Sequence, residues 1–435
     1  MATLSELLKE LNTLPLGNLY VKTIKGQRYL YHQYFLNGVR YSKLVKKEEA
    51  IELKRLINHR KEVEKLIKKK KSMNVTLSRN AEELTGYVMN KNMVVAKFEK
   101  GEPTYIDPIL APHIIRRTHS IEAFLKLRAM DMSRTNARIL KKILNINVDE
   151  DYKTPLYAYA LSVSDHYWFK PKHSKLTYQD VLVNDDSLFE AALKGETNVF
   201  YHKARLSPEI TTTGSFEKGW RFIDGEWWLY KVGNSKQYFS ELFSSKFAKL
   251  IGVNTIDYEL DNGYIKCKNF SKNYNFEPIY SWVGDNDNYD VVFNAIYEFG
   301  DEIAKDYLKL IFFDSVVNNI DRHNENVGVL RDVKRGFILS LAPNFDNNLS
   351  LIATTDSLNN NPSKDNFMKL FVDFYKKDSR VRKLFSSIEL KEITLEKVEE
   401  IVNSIPIDVI NKNTIAIAIL NRYNYLKDLV NNKHI

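Results

Sequence analysis

Cysteine is almost absent, with Cys267 standing alone in a chain of 435 residues. A disulfide framework and a cysteine-ligated zinc site are thereby excluded. No apolar run approaches the length needed to span a membrane. The first residues, Met1 to Glu10, read as an amphipathic helix with charges throughout, unlike a secretory leader. A cytoplasmic protein with no membrane partner is the expectation. Acidic residues are scarce in one region only. Residues 1–76 carry 17 Lys and Arg against 7 Asp and Glu, so the whole excess behind the net charge of +9 belongs to this segment. Aromatic residues are plentiful at 12%, which argues against long disorder. The length leaves room for two or three domains with an ample core.

Against these absences stands a dense polar stretch, Asn318-Asn319-Ile320-Asp321-Arg322-His323-Asn324-Glu325-Asn326, with Ala342-Pro343-Asn344-Phe345-Asp346 after it. Phosphoryl transfer from ATP needs a carboxylate to orient or deprotonate the acceptor hydroxyl. It also needs a neutral oxygen and a second carboxylate to hold Mg²⁺ on the phosphates. Asp321 is the candidate base, and Asn326 and Asp346 are the candidate metal ligands. The Asp-x-x-x-x-Asn spacing is that of a protein-kinase catalytic loop. A chain rich in Asn, Lys and Ile produces such pairs by chance, so the context matters. Leu308, Ile311, Phe312, Ser315 and Val316 make an apolar helical face leading to Asp321. Val327–Leu330 and Phe337–Leu339 read as two strands, with Asp346 just past the second.

Upstream, residues 14–45 read as a small antiparallel sheet in which Asn37-Gly38 is a hairpin signal. A charged helix from about Lys47 to Lys71 follows, ending in four lysines. Basic aromatic strands and a basic helix fit contact with DNA through residues 1–76. A solvated arm fits equally. Residues 77–150 read as a small α/β connecting subdomain, with strands at Val88–Phe98 and Pro103–Ile106 and one long helix at Ile121–Leu144. Residues 151–270 carry the signals of a kinase N-lobe. Ile210 to Gly219 is polar and contains glycine, so the backbone of Thr213, Gly214 and Ser215, with Lys218, could cover phosphates. Trp220–Ile223 and Glu226–Val232 form a hairpin around Asp224-Gly225. Lys231 lies near its end, where a kinase lysine reaches the α/β-phosphates. Glu241, on the first turn of a helix over Tyr238–Ile251, is its candidate partner. Strands at Ile256–Leu260 and Tyr264–Phe270 place Lys268 to Phe270 where a hinge would bind adenine. Residues 271–435 read as a helical C-lobe. Its polar stretch Thr354–Lys364 lies where an activation segment would lie.

With these residues assembled, the chain resembles the HipA-like serine/threonine kinases of bacterial toxin–antitoxin systems over roughly residues 150–435. The resemblance rests on Ile210 to Lys218, on Asn319-Ile320-Asp321-Arg322 through Asn326, and on Leu341 to Asp346. Ile320 replaces the small residue usual in that family. The resemblance implies an α+β, two-lobed protein-kinase-like fold, here preceded by a basic sheet-plus-helix module. It implies ATP and Mg²⁺, a protein substrate and an antitoxin partner. It also implies autophosphorylation in the phosphate-binding loop, with Thr211 at the position of the family's serine and Gly214 and Lys218 matching its glycine and lysine. Asp321-Arg322-His323-Asn324-Glu325-Asn326 is also similar to the Asp-Arg-His-x-x-Asn of phosphatidylinositol kinases, so a lipid acceptor stays open. So does a non-enzymatic scaffold that senses nucleotide and binds DNA or a protein through residues 1–76.

Overall fold

A computed structural model describes residues 4–24, 26–36, 39–75, 84–144, 146, 148, 150–183, 185–196, 206–355, 357–359 and 361–431. The chain is mixed α+β, with small antiparallel sheets and many helices. It divides into two compact units. Among the described residues no helix is long and apolar enough to cross a membrane.

The first unit comprises residues 1–106, 120–162 and 167–215. Strands β1 (Asn18–Ile24), β2 (Gln27–Leu36) and β3 (Val39–Leu44) form an antiparallel sheet. Asn37-Gly38, the expected turn, lies outside the described residues. Helices Leu4–Thr13 and Lys47–Val75 pack through Leu7, Leu11, Leu14, Val63 and Ile67. A second sheet joins β4 (Gly86–Asn90), β5 (Met93–Glu99), β6 (Glu102–Tyr105) and β7 (Tyr167–Pro171) in the order β6-β5-β4-β7. The single strand expected over Val88–Phe98 is in fact two, because Lys91 turns the chain with a left-handed φ of 51°. The long helix expected over Ile121–Leu144 is also two, Ile121–Lys126 and Thr135–Ile143. Between them the Asp131 carboxylate accepts from the Ser133 amide at 2.8 Å. Such a local bond competes with helix continuation.

The second unit comprises residues 107–119, 163–166 and 216–435. Its first sheet has the order β10-β11-β9-β8, from β8 (Lys218–Ile223), β9 (Glu226–Lys231), β10 (Tyr258–Asp261) and β11 (Tyr264–Lys268). The β8–β9 turn uses Asp224 and Gly225, at φ 50° and 80°, the doubly left-handed geometry that suits a two-residue hairpin. A helix over Ser235–Ile251 follows, its first turn closed by a reciprocal Asn234–Gln237 capping box. Phe239, Phe243 and Phe247 stack along its buried face. Replacing Asn234 by Ala is expected to cost about 1 kcal/mol, read as a lower urea midpoint with unchanged slope.

A further sheet joins β12 (Tyr274–Pro278), β13 (Gly328–Asp332) and β14 (Ile338–Leu341). The Asp301–Val317 helix runs through the core and ends at Asn318, whose φ of 53° turns the chain into the polar loop. Buried Arg422, on the Lys412–Asn431 helix, grips this end by donating to the carbonyls of Ser315 and Val316 at 2.6 and 2.7 Å. Its other arm meets Asp365, the N-cap of the Asn366–Lys377 helix, at 2.6 Å.

Candidate active site

The hairpin register fixes the first part of the site. Lys218 of β8 and Lys231 of β9 are direct cross-strand partners, and both are buried. Two like charges facing each other across a ladder are destabilising unless anions compensate. Three groups gather on Lys231: Glu241 Oε1 at 2.5 Å, Asp346 Oδ1 at 2.7 Å and the Tyr258 hydroxyl at 3.3 Å. Burial alone would push the Lys231 ammonium down, but the charges of Asp346 and Glu241 reverse this and hold it well above the usual lysine range. Burial likewise opposes ionisation of Asp346, and Lys231 and Lys218 overcome it, so this carboxyl stays well below its ordinary value. Burial raises Glu241, against the pull of Lys231.

Asp346 arrives here through backbone stitching. Asn344 and Thr255 form an isolated parallel bridge, and the Asn344 amide donates to the Asn254 carbonyl at 2.8 Å. Two residues later the Asp346 amide donates to the Tyr258 hydroxyl at 3.1 Å. Asp346 itself sits at a left-handed φ of 59°, a conformation that Asp tolerates better than most residues. The next amide, that of Asn347, donates to Glu241 Oε2 at 2.8 Å. Glu241 therefore binds Lys231 with one oxygen and the Asp346 segment with the other.

The polar loop is tied to the same segment by Arg322. Its guanidinium grips Asp314, at the end of the long helix, with bonds of 2.8 and 3.0 Å. It also donates to the carbonyls of Asn326 and Phe345 at 2.8 and 2.9 Å, and to the side chains of Asn344 and Asn347 at 2.6 and 3.1 Å. The residue carrying the loop carboxamide and the residue before Asp346 thus share one cation. The Asn326 side chain donates to the Asp321 carbonyl at 3.2 Å and closes the loop on itself. Asp321 is half-buried. Burial raises its carboxyl above the ordinary value, His323 pulls it down, and the charge of Asp346 adds to the rise. His323 is exposed, and its ring accepts from the Glu325 amide at 3.2 Å.

The remaining expected residues have their own surroundings. Lys268 ends β11, is exposed and lies 3.5 Å from Glu226. Phe270 packs its ring against Phe276 and Phe345, at 5.6 and 5.4 Å between centroids. Thr211, Thr213, Gly214 and Ser215 belong to the first unit. The Thr211 hydroxyl is buried and donates to the Leu161 carbonyl at 2.8 Å. Glu241 falls on the second turn of its helix, because the helix begins at Ser235. Sequence reasoning missed Tyr258, Asp314, Asn344 and Asn347. The one available signal was the pair of asparagines flanking Phe345-Asp346.

Oxygen donors from a carboxamide and a carboxylate suit Mg²⁺, which usually takes one or two carboxylates and completes its shell with water and phosphate oxygens. Asn326 and Asp346 offer those donor types, and Arg322 bonds the backbone of both segments. The two buried lysines suit phosphate oxygens.

Solved kinase structures share a likeness with this chain. The proinflammatory kinase CtkA of Helicobacter pylori aligns at a TM-score of 0.40 and 17% identity, covering 49% of this chain and 92% of its own. A chain from the toxin–antitoxin complex of HipA, HipB and operator DNA of Shewanella oneidensis MR-1 aligns at a TM-score of 0.49 and 11% identity, covering 80% and 98%. No family model and no curated protein matches the sequence.

Proposed function

We propose that this protein is an ATP- and Mg²⁺-dependent serine/threonine protein kinase of the HipA-like type. The observation that carries the reading is the ion cluster of buried Lys231 and Glu241 with half-buried Asp346, joined through Arg322 to the loop bearing Asp321 and Asn326. In this reading Lys231 and Lys218 neutralise phosphate oxygens of ATP. Asp321 accepts the proton of the acceptor hydroxyl as its oxygen attacks the γ-phosphorus and ADP leaves. A carboxyl raised by burial is a better base near neutral pH than an ordinary one, and general-base assistance contributes about 10² to 10⁴-fold. Asn326 and Asp346 would hold Mg²⁺, which supplies charge neutralisation on the phosphates.

Thr213 to Ser215 would cover the phosphates, and the backbone around Lys268 and Phe270 would receive adenine. Thr211 is the proposed site of self-modification. Its hydroxyl is bonded to Leu161, so phosphorylation requires the Pro208–Thr211 turn to detach. A restraining antitoxin-type protein is the proposed partner, and the cytoplasm the proposed compartment.

The test is incubation of the full chain with Mg²⁺ and γ-labelled ATP, followed by intact mass and site mapping, with Asp321→Ala as control. Incorporated phosphate that is lost in the control is expected. Equal labelling of the control would remove Asp321 from the mechanism. No labelling, together with no ATP binding by calorimetry, would overturn the kinase reading.

A further inference from the structure

Among the described residues of the sheet β1-β2-β3, none is buried. Alternate strand positions face opposite sides. Phe35 and Leu44, 47% and 53% exposed, lie on one face with Tyr20 and Tyr31. Val21, Val39 and Tyr41, 59%, 54% and 42% exposed, lie on the other. The adjoining helices bury Leu7, Leu11, Leu14, Val63 and Ile67 against each other, and no residue of the sheet joins that cluster. Three strands ordinarily need a packed face to be stable. The charge is as one-sided as the burial. From Leu11 to Lys47 there is no Asp or Glu, while seven Lys and Arg fall in that span.

We infer that this sheet is a docking surface for duplex DNA, with one face laid in the major groove. That groove is about 12 Å wide and admits a β-ribbon. The face shared by β1, β2 and β3 through Asn18, Lys22, Gln27, Gln33 and Arg40 offers amide and guanidinium groups, the side-chain types that read base edges. Arg40 is already oriented, donating to Gln33 Oε1 at 3.0 Å. The tyrosines argue for duplex over single strand. Tyr20 stacks on Tyr31 at 5.7 Å and Tyr34 on Tyr41 at 5.2 Å, so the rings engage one another. A single-strand platform needs ring faces open to bases. The Tyr20 hydroxyl also shares a hydrogen bond with Ser42 Oγ at 2.9 Å, and Tyr29 donates to Gln27 at 2.8 Å.

The test is fluorescence anisotropy of the full chain with a labelled mixed-sequence duplex, and with one of its strands alone, over a salt series without ATP. The duplex is expected to bind more tightly, with log affinity falling linearly in log salt. Lys22→Glu with Arg40→Glu, both exposed, is expected to weaken duplex binding by about tenfold or more and to flatten the salt slope. Lys22→Gln with Arg40→Gln is expected to weaken it in the same direction with an unchanged melting transition, which separates lost contacts from lost fold. Absence of duplex binding at low salt, tighter binding of the single strand, or unchanged affinity in both variants would overturn the inference.

Discussion

Asp346→Asn is expected to abolish Mg²⁺-dependent phosphoryl transfer while the fold survives. The fall should be about 10³-fold or more, the scale on which one preorganised electrostatic partner acts. The substitution keeps the size of the side chain and the left-handed backbone, which Asn tolerates as Asp does. It removes the negative charge that Lys231 and Lys218 hold in place. Lys231 keeps Glu241 at 2.5 Å, so the ammonium is not abandoned and the melting transition should persist. Asp346→Ala should abolish transfer equally, but it adds about 1 kcal/mol of backbone strain at the same φ. Activity in labelled-ATP assays and affinity for nucleotide with and without Mg²⁺ are the readouts. Retained transfer in a folded Asp346→Asn protein would sink the metal assignment.

The parts of this site visible in the sequence are those that local spacing encodes. Asp321 and Asn326 share one loop, and Lys231 and Glu241 lie ten residues apart on a strand and the helix after it. The structure brings Lys231, Glu241 and Asp346 together, although Asp346 comes 115 residues after the lysine. Tyr258 carried no such signal. It reads as an ordinary strand aromatic, and only the bridge between Thr255 and Asn344 sets it beside Asp346. Asp314 reads as a polar interruption in an apolar helix, and its purpose is evident only with Arg322 against it. Strand β12 escaped because its buried positions are polar, the reverse of the usual pattern. Asn275 and Glu277 point inward, where Asn275 accepts from the His166 amide at 2.9 Å and Glu277 pairs with buried Arg331. A hydrophobic alternation could not reveal a strand whose inward face is polar.

Arg322→Ala is expected to be the most destabilising single change in this region. The side chains of Arg322 and Asp314 are 4% and 0% exposed, so the pair is screened from water. Removing one partner of a buried ion pair leaves an uncompensated charge and costs about 3–5 kcal/mol. For a unit of this size that corresponds to a melting point lower by about 10 °C. Arg322→Lys should recover only part of the loss. An ammonium keeps the charge but cannot span Asp314, two carbonyls and two asparagine side chains as the planar fork does. Adding Asp314→Asn to Arg322→Met should make the protein more stable than Arg322→Met alone, because the orphaned carboxylate is gone. That double variant separates the two consequences of Arg322. Stability should partly return, yet phosphoryl transfer should not, since the guanidinium that joins the Asn326 and Phe345 carbonyls is gone. Melting and labelled-ATP turnover measured on the same preparations decide it. Recovery of both together would mean that Arg322 serves the fold alone and does not position the two segments for chemistry.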